Sequence, residues 1–310
     1  MDILRYRSEY GAVWNDFVSK SKNGLFMFDR NYMDYHSDRF KDHSLLFFSE
    51  GDLVGLLPLN EFENTLASHG GLTFGGFITD HNMKQHRMLE MMDTLRIYMA
   101  EHAFRKLIYK QVPHFYHIQP AEEDSYALFR SNAKISKIEA ATVVDLANPI
   151  KMPKGRKAQI SRAKRENVVI EESLDYDAFI ELENEVLQEH HGTRAVHTGE
   201  ELILLHSRFP ENIKLYAAKL SGEIIAGTVL FIYPNVVHTQ YLAANNVARR
   251  IGALDYTVSY VMDEYRSGKK WFDFGKSTEG DGSILNEGLI SQKEGFGGRT
   301  VVYQTWEITL

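Results

Sequence analysis

The chain has 310 residues, more than one ordinary core needs, so two domains are expected. With 44% hydrophobic and 25% charged residues it is globular rather than disordered, and a formal charge of -7 argues against a general nucleic-acid coat. The absence of cysteine excludes disulfides, thiolate zinc sites and a cysteine nucleophile; with neither a basic leader nor a bilayer-length apolar run, the expectation is a cytoplasmic protein without membrane insertion.

The first half opens with a strand-like "DILRYR" and a helical "YGAVWNDFVSK". From Ser44, "SLLFFSEGDLVGLLPLNEF" is two apolar runs about a turn at Glu50-Gly51-Asp52, which predicts a hairpin. A third strand-like run, a polar loop and the long helical pattern "KQHRMLEMMDTLRIYMAEHAF" follow, then a strand from Arg105 to Lys110. The second half begins with "KMPKGRKAQISRAKREN", in which seven Lys or Arg lie between residues 151 and 165 with no acid until Glu166. On a helix this run, Arg156 and Lys157 included, suits a polyanion such as coenzyme A phosphates, a lipid-linked sugar pyrophosphate or the backbone of a charged tRNA; a solvated face is the alternative. No aromatics interleave, so phosphate contact is favoured over base stacking.

The grammar of the first half then returns. "NVVIEES" reads as a strand, "DYDAFIELENEVLQEH" and "GEELILLHSRF" as helices, and "IKLYAAKLSGEIIAGTVLFIY" as a hairpin turning at Ser221-Gly222-Glu223. A third strand "VVHTQYLAA", a loop, the helix "GALDYTVSYVMDEYRSG" and the strand "KKWFDFG" complete the unit. The order implies a tandem duplication with units at 1–150 and 151–310, joined near Asn148 to Pro153; coincidence of generic α/β patterns is the competing explanation.

Several stretches can carry chemistry. "QEHHGTRAVHTGEEL" gathers histidines around Arg194, but its spacing fits no standard zinc site and no metal is expected; Thr198 with Glu201 predicts a capping box. In "VVHTQYLAA", strict alternation puts Val237, Thr239, Tyr241 and Ala243 on one face and His238, Gln240 and Leu242 on the other. "NNVARRIGALDY" reads as a loop before a helix start, where main-chain amides, Arg249 and Arg250 would suit a pyrophosphate; a solvated arginine pair is the plainer reading. Asp273, between two phenylalanines on a buried strand, either bonds backbone or is a general base with a raised pKa. "DFG" also occurs in protein kinases, yet no G-x-G-x-x-G loop or H-R-D stretch accompanies it. "GLISQKEGFGGRTVV" predicts a short helix and a glycine turn that exposes amides to a ligand beside Lys293, with a solvated lysine as the alternative.

The element order resembles the GNAT acyltransferase fold, and two such units resemble its FemAB-like branch, whose members join acyl or aminoacyl groups to amines. "HHGTRAVHT", "QYLAANNVARRIGALDY", "WFDFGKS" and "LNEGLISQKEGFGGR" are similar to signature blocks of that branch. The resemblance implies an α/β (α+β) protein of two tandem GNAT-like units, each a mixed, mainly antiparallel sheet flanked by helices. It implies an acyl-CoA donor, acetyl-CoA first, whose pyrophosphate meets Arg249, Arg250, Gly252 and Ala253; Leu254 departs from the usual Q/R-x-x-G-x-G/A ending. The thioester arm would enter beside Tyr241, its carbonyl polarised by an amide near Ala243 or Ala244. Tyr241 would then protonate the thiolate or position the acceptor, unless it is only a half-buried strand aromatic. His191, Arg194 and His197 would line the acceptor groove, and Lys293 would bind an acceptor anion or the tetrahedral intermediate. Gln292 replaces the usual phenylalanine before that lysine.

The expected reaction is attack by an amine, in a cleft between the units, on a thioester held by the second unit, with no covalent enzyme intermediate. An amino sugar or a cell-envelope or polysaccharide precursor, lipid-linked acceptors included, is the expected acceptor. An aminoacyl-tRNA donor, as in peptidoglycan-bridge relatives, and a non-catalytic binding protein are the alternatives.

Overall fold

The structure, a computed structural model, describes the backbone of residues 1–310 and every side chain except those of His190 and His191. It divides into two compact units: residues 1–139 with 280–283 and 302–310, and residues 140–279 with 284–301.

The first unit contains strand β1 (Asp2–Arg5), helices α1 (Gly11–Lys20) and α2 (Arg30–Met33), strands β2 (Leu45–Ser49), β3 (Asp52–Leu57), β4 (Asn60–Phe62) and β5 (Thr65–Ala67), helix α3 (Gln85–Glu101), strand β6 (Lys106–Lys110), helix α4 (Glu123–Arg130) and the first half of β7 (Lys134–Asp145). Strands β1, β2 and β3 form an antiparallel sheet, whereas β5 lies parallel to β6. Helix α3 presents Met88, Met91, Met92, Leu95 and Met99 at three- and four-residue spacing to a core with Leu45, Phe47, Leu66 and Leu107. Asp124, buried there, accepts from Tyr109 Oη at 2.6 Å and Gln111 Nε2 at 3.1 Å.

In the second unit come α5 (Lys154–Arg165), β8 (Val169–Ser173), α6 (Tyr176–His191), α7 (Gly199–Arg208), β9 (Ile213–Leu220), β10 (Glu223–Ile232), β11 (Val236–Ala244), α8 (Asn246–Ile251), α9 (Ala253–Tyr265) and β12 (Trp271–Lys276). A two-strand ribbon, β13 (Thr278–Glu279) and β14 (Ile284–Leu285), leads into α10 (Glu287–Glu294) and the last strand β15 (Arg299–Thr309). The sheet runs β8-β9-β10-β11-β12 and then the second half of β7, antiparallel except where β11 meets β12. Helix α9 lays Val258, Val261 and Met262 against Leu230, Val237 and Phe272.

The internal repeat is visible in the turns. Glu50 and Gly51 have φ of 55° and 90°, Ser221 and Gly222 have 54° and 90°, both as two-residue primed hairpin turns require. The break between units lies at Glu139 rather than at 150, because β7 is one unbroken strand whose second half pairs with β12. The chain end also differs from expectation: residues 302–310 belong to the first unit, where β15 pairs with β6. Among the described residues no helix is long and apolar enough to cross a membrane.

Candidate active site

Strands β11 and β12 run side by side for three residue pairs only, the last being His238 with Asp273. Beyond that point they part, β11 continuing to Ala244 along β10 and β12 continuing along β7. A pocket of about 430 Å³ opens at the parting, its walls including Leu242 and Ala244 of β11, Phe274 of β12, Val258 of α9 and Lys293 of α10.

A bulge prepares the parting. Tyr241 pairs with Val229 and Thr239 with Leu230, so Gln240 is an extra residue on β11. The strict alternation expected along β11 therefore fails, and Val237 and Leu242 both pack toward α9. The Asn245 amide donates to the Ile225 carbonyl across β10 at 3.0 Å. By the alternation of antiparallel ladders, the amides of Leu242 and Ala244 point to the side that β12 has left, and that of Ala243 points to β10. Of the two alanines expected to polarise a thioester carbonyl, Ala244 is the one whose amide faces that side.

Lys293 is 5% exposed and donates to the carbonyls of Gly275 at 3.0 Å and Lys276 at 2.6 Å. An ammonium has three donors, so one remains for the pocket that the side chain lines. Burial pulls its pKa down to about 8, opposed by the charge of Asp273. Asp273 is fully buried and not on the pocket wall: its carboxylate accepts from the Gly275 amide at 2.8 Å and meets His238 Nδ1 at 2.9 Å. It thus ties down the strand end whose carbonyls accept from Lys293.

Tyr241 also lies off the pocket wall. Its hydroxyl accepts from the His197 amide at 3.2 Å and meets His197 Nδ1 at 2.7 Å, and burial raises its pKa to about 12. His197 is thereby committed to Tyr241, and Thr198 with Glu201 forms the expected capping box. Arg194 is exposed on the same turn, and the side chain of His191 lies outside those described.

Sequence reasoning missed Glu183. It stands on α6, is 6% exposed, lines the same pocket, and among the described residues has no hydrogen-bond partner for Oε2. Desolvation raises its pKa to about 7. Phe179, Ile180, Val186 and Leu187 surround it at three- and four-residue spacing, so a charge set within the apolar stripe of α6 was the available signal.

The expected phosphate loop is instead helix α8, capped by Asn245 Oδ1 on the Ala248 amide at 2.9 Å. Arg249 and Arg250 are exposed on its last turn, and Arg249 also lines the pocket. Gly252 is a left-handed joint, φ 77°, between α8 and α9; a Cβ there would come within 2.7 Å of the Gln159 carbonyl on α5. Ala253 is likewise fully buried. A side chain at Gly252 would run into α5, so the close packing of α8 and α9 on α5 requires this glycine. Gly297 and Gly298 behave alike: added Cβ atoms would meet the Ile150 carbonyl and the Thr142 methyl at 2.5 and 2.4 Å, so the turn packs inward rather than exposing amides.

Arg156 also departs from expectation. It pairs with Asp255, donates to the Gln292 carbonyl at 2.9 Å, and sits 4.1 Å above the Phe296 ring, clamping α5, α9 and α10 together. Lys157 is exposed beside a separate cleft of about 520 Å³ between α5 and α9, together with Lys151 and Arg266. Among the described residues no three His, Asp or Glu side chains gather as metal ligands.

Residues 154–281 match the family model described as an acetyltransferase (GNAT) domain. The crystal structure of FemX superposes with a TM-score of 0.71 at 12% identity, over 100% of this chain and 98% of that one. The C-terminal domain of a putative lysylphosphatidylglycerol synthetase from Agrobacterium fabrum gives 0.64 at 13%, covering 97% and 92%. A tandem GNAT protein from the clavulanic acid biosynthesis pathway gives 0.55 at 13%, covering 99% and 98%. No curated protein matches the sequence. The chain has the FemAB-like GNAT fold expected from its signature blocks, and at these identities the likeness to solved structures carries the fold alone.

Proposed function

We propose, for this FemAB-like GNAT chain, an N-acyltransferase that moves an acyl group from an acyl-CoA thioester to an amine by direct attack. The observation that carries the reading is the parting of β11 from β12 after His238 and Asp273, with a pocket at the parting on the side that the Leu242 and Ala244 amides face. A thioester arm laid along β11 would bring its carbonyl to the Ala244 or Leu242 amide, which stabilises the developing oxyanion without reorganising. Lys293 supplies a buried positive charge in the same pocket, suited to the oxyanion or to an anionic group of the acceptor. The phosphates of the donor would meet Arg249 and Arg250 on the exposed turn of α8, because the start of α9 is covered by α5.

An amino sugar or a cell-envelope or polysaccharide precursor is the acceptor class we favour, in keeping with the signature blocks. The covered start of α9 supports a second reading, in which the donor is an aminoacyl-tRNA whose backbone meets the basic α5. Calorimetric titration with acetyl-CoA and with charged tRNA separates the two. Saturable binding of acetyl-CoA, lost in Arg249→Glu, supports the first; binding of charged tRNA alone overturns it.

A further inference from the structure

We propose that the acceptor enters as a primary ammonium and that Glu183 receives it and takes its proton, a role that rests on the acyltransfer reading. A buried carboxylate without a partner costs free energy that an apolar residue of similar shape would avoid. Glu183 is such a group, 6% exposed, with Oε2 lacking a hydrogen-bond partner among the described residues, and it stands on the wall of the pocket at the strand parting. A cationic ligand in that pocket supplies the missing donor.

The surroundings favour an ammonium over a neutral acceptor. Lys293 lines the same pocket yet bonds the carbonyls of Gly275 and Lys276 rather than Glu183, so the two opposite charges serve different parts of a ligand. Tyr241 faces Glu183 from β11, with His197 one hydrogen bond behind it, and Arg249 of α8 is the remaining ionisable group at the pocket among the described residues. Strand β10 brings no ionisable side chain from Ile224 to Ile232. On α7, Glu201 is committed to its capping box, His206 to the Ile213 carbonyl, and Glu200 and Arg208 are exposed. Burial holds the Glu183 carboxyl near 7, where it both loses and accepts a proton in neutral solution.

The step balances as follows. The ammonium gives one proton to Glu183, and the freed nitrogen pair adds to the thioester carbonyl carbon while the C=O pair moves onto oxygen. That pair returns, the C–S bond breaks with its electrons on sulfur, and the extra proton on nitrogen passes to the thiolate. The products are an amide, a free thiol and a protonated Glu183, which then releases its proton to water.

The test uses the full chain, Glu183→Gln and Glu183→Asp. Turnover is followed as free thiol from acetyl-CoA with ethanolamine, L-lysine and glucosamine, coenzyme A binding by calorimetry, and heat stability at mildly alkaline pH with n-butylammonium or butan-1-ol. Expected are a loss of kcat/KM of about 10²-fold or more in the Gln variant, partial rescue by Asp, and unchanged coenzyme A affinity. Protection of the native chain by n-butylammonium, absent with butan-1-ol and absent in Glu183→Gln, is the readout that needs no turnover. No selective protection of the native chain, or a Gln variant within about threefold of native kcat/KM, overturns the assignment. Protection without any coenzyme A binding would sink the donor reading and leave this one standing.

Discussion

Replacing Glu183 by glutamine changes the pH dependence of stability by an amount that follows from its burial. The carboxyl titrates at about 7 in the fold against 4.5 when exposed. At about 1.4 kcal/mol per pH unit, that gap corresponds to about 3–4 kcal/mol. A carboxyl whose pKa is raised on folding leaves stability intact below its unfolded pKa and removes it as pH rises through the folded one. Native stability should therefore fall by about 3–4 kcal/mol between about pH 4.5 and about pH 8, relative to Glu183→Gln, which has nothing to ionise there. Urea unfolding followed by the fluorescence of Trp271, on β12 in the same unit, measures both chains across this range. Stability curves that run parallel, with a constant offset at every pH, would refute the reasoning, because they would mean that Glu183 titrates alike folded and unfolded.

Turnover should be bell-shaped in pH, rising as Glu183 ionises near 7 and falling as Lys293 loses its proton near 8; Lys293→Met should remove the alkaline limb and lower kcat. Arg156→Ala should cost about 2–4 kcal/mol in urea unfolding, since it strands Asp255 and uncovers Phe296, whereas Arg249→Ala should leave stability within about 0.5 kcal/mol and weaken coenzyme A binding about tenfold. Gly252→Ala should destabilise by about 2 kcal/mol or more through its left-handed φ and the Gln159 carbonyl, an effect visible in the same unfolding curves.

Much of the fold was legible because its signals are local. The turns at Glu50-Gly51 and Ser221-Gly222 announce hairpins through a glycine at positive φ, and the long helices announce themselves through apolar spacing. The capping box at Thr198 is read in four letters. The site was less legible, because its parts depend on contacts far apart in sequence. The bulge at Gln240 arises from pairing with β10 and leaves no mark in "HTQYL", so the faces of β11 were misassigned beyond it. Arg156 looked like one member of a basic run until α9 and α10 brought Asp255 and Phe296 to it. Helix α8 is a turn and a half long, and its asparagine cap was read as part of a loop. Lys293 lines the pocket, while the glycines after it pack closely against Ile150 and Thr142, contacts that no local pattern announces.

The account depends most on the wedge where β11 leaves β12 being the place of the thioester. Calorimetric titration of acetyl-CoA into the native chain and into Leu242→Trp, which fills the wedge from its β11 wall, tests this directly. Saturable binding by the native chain that is lost in the variant, with heat stability retained, is the predicted result. Equal binding by both chains, or no binding of any coenzyme A ester by the native one, would contradict it.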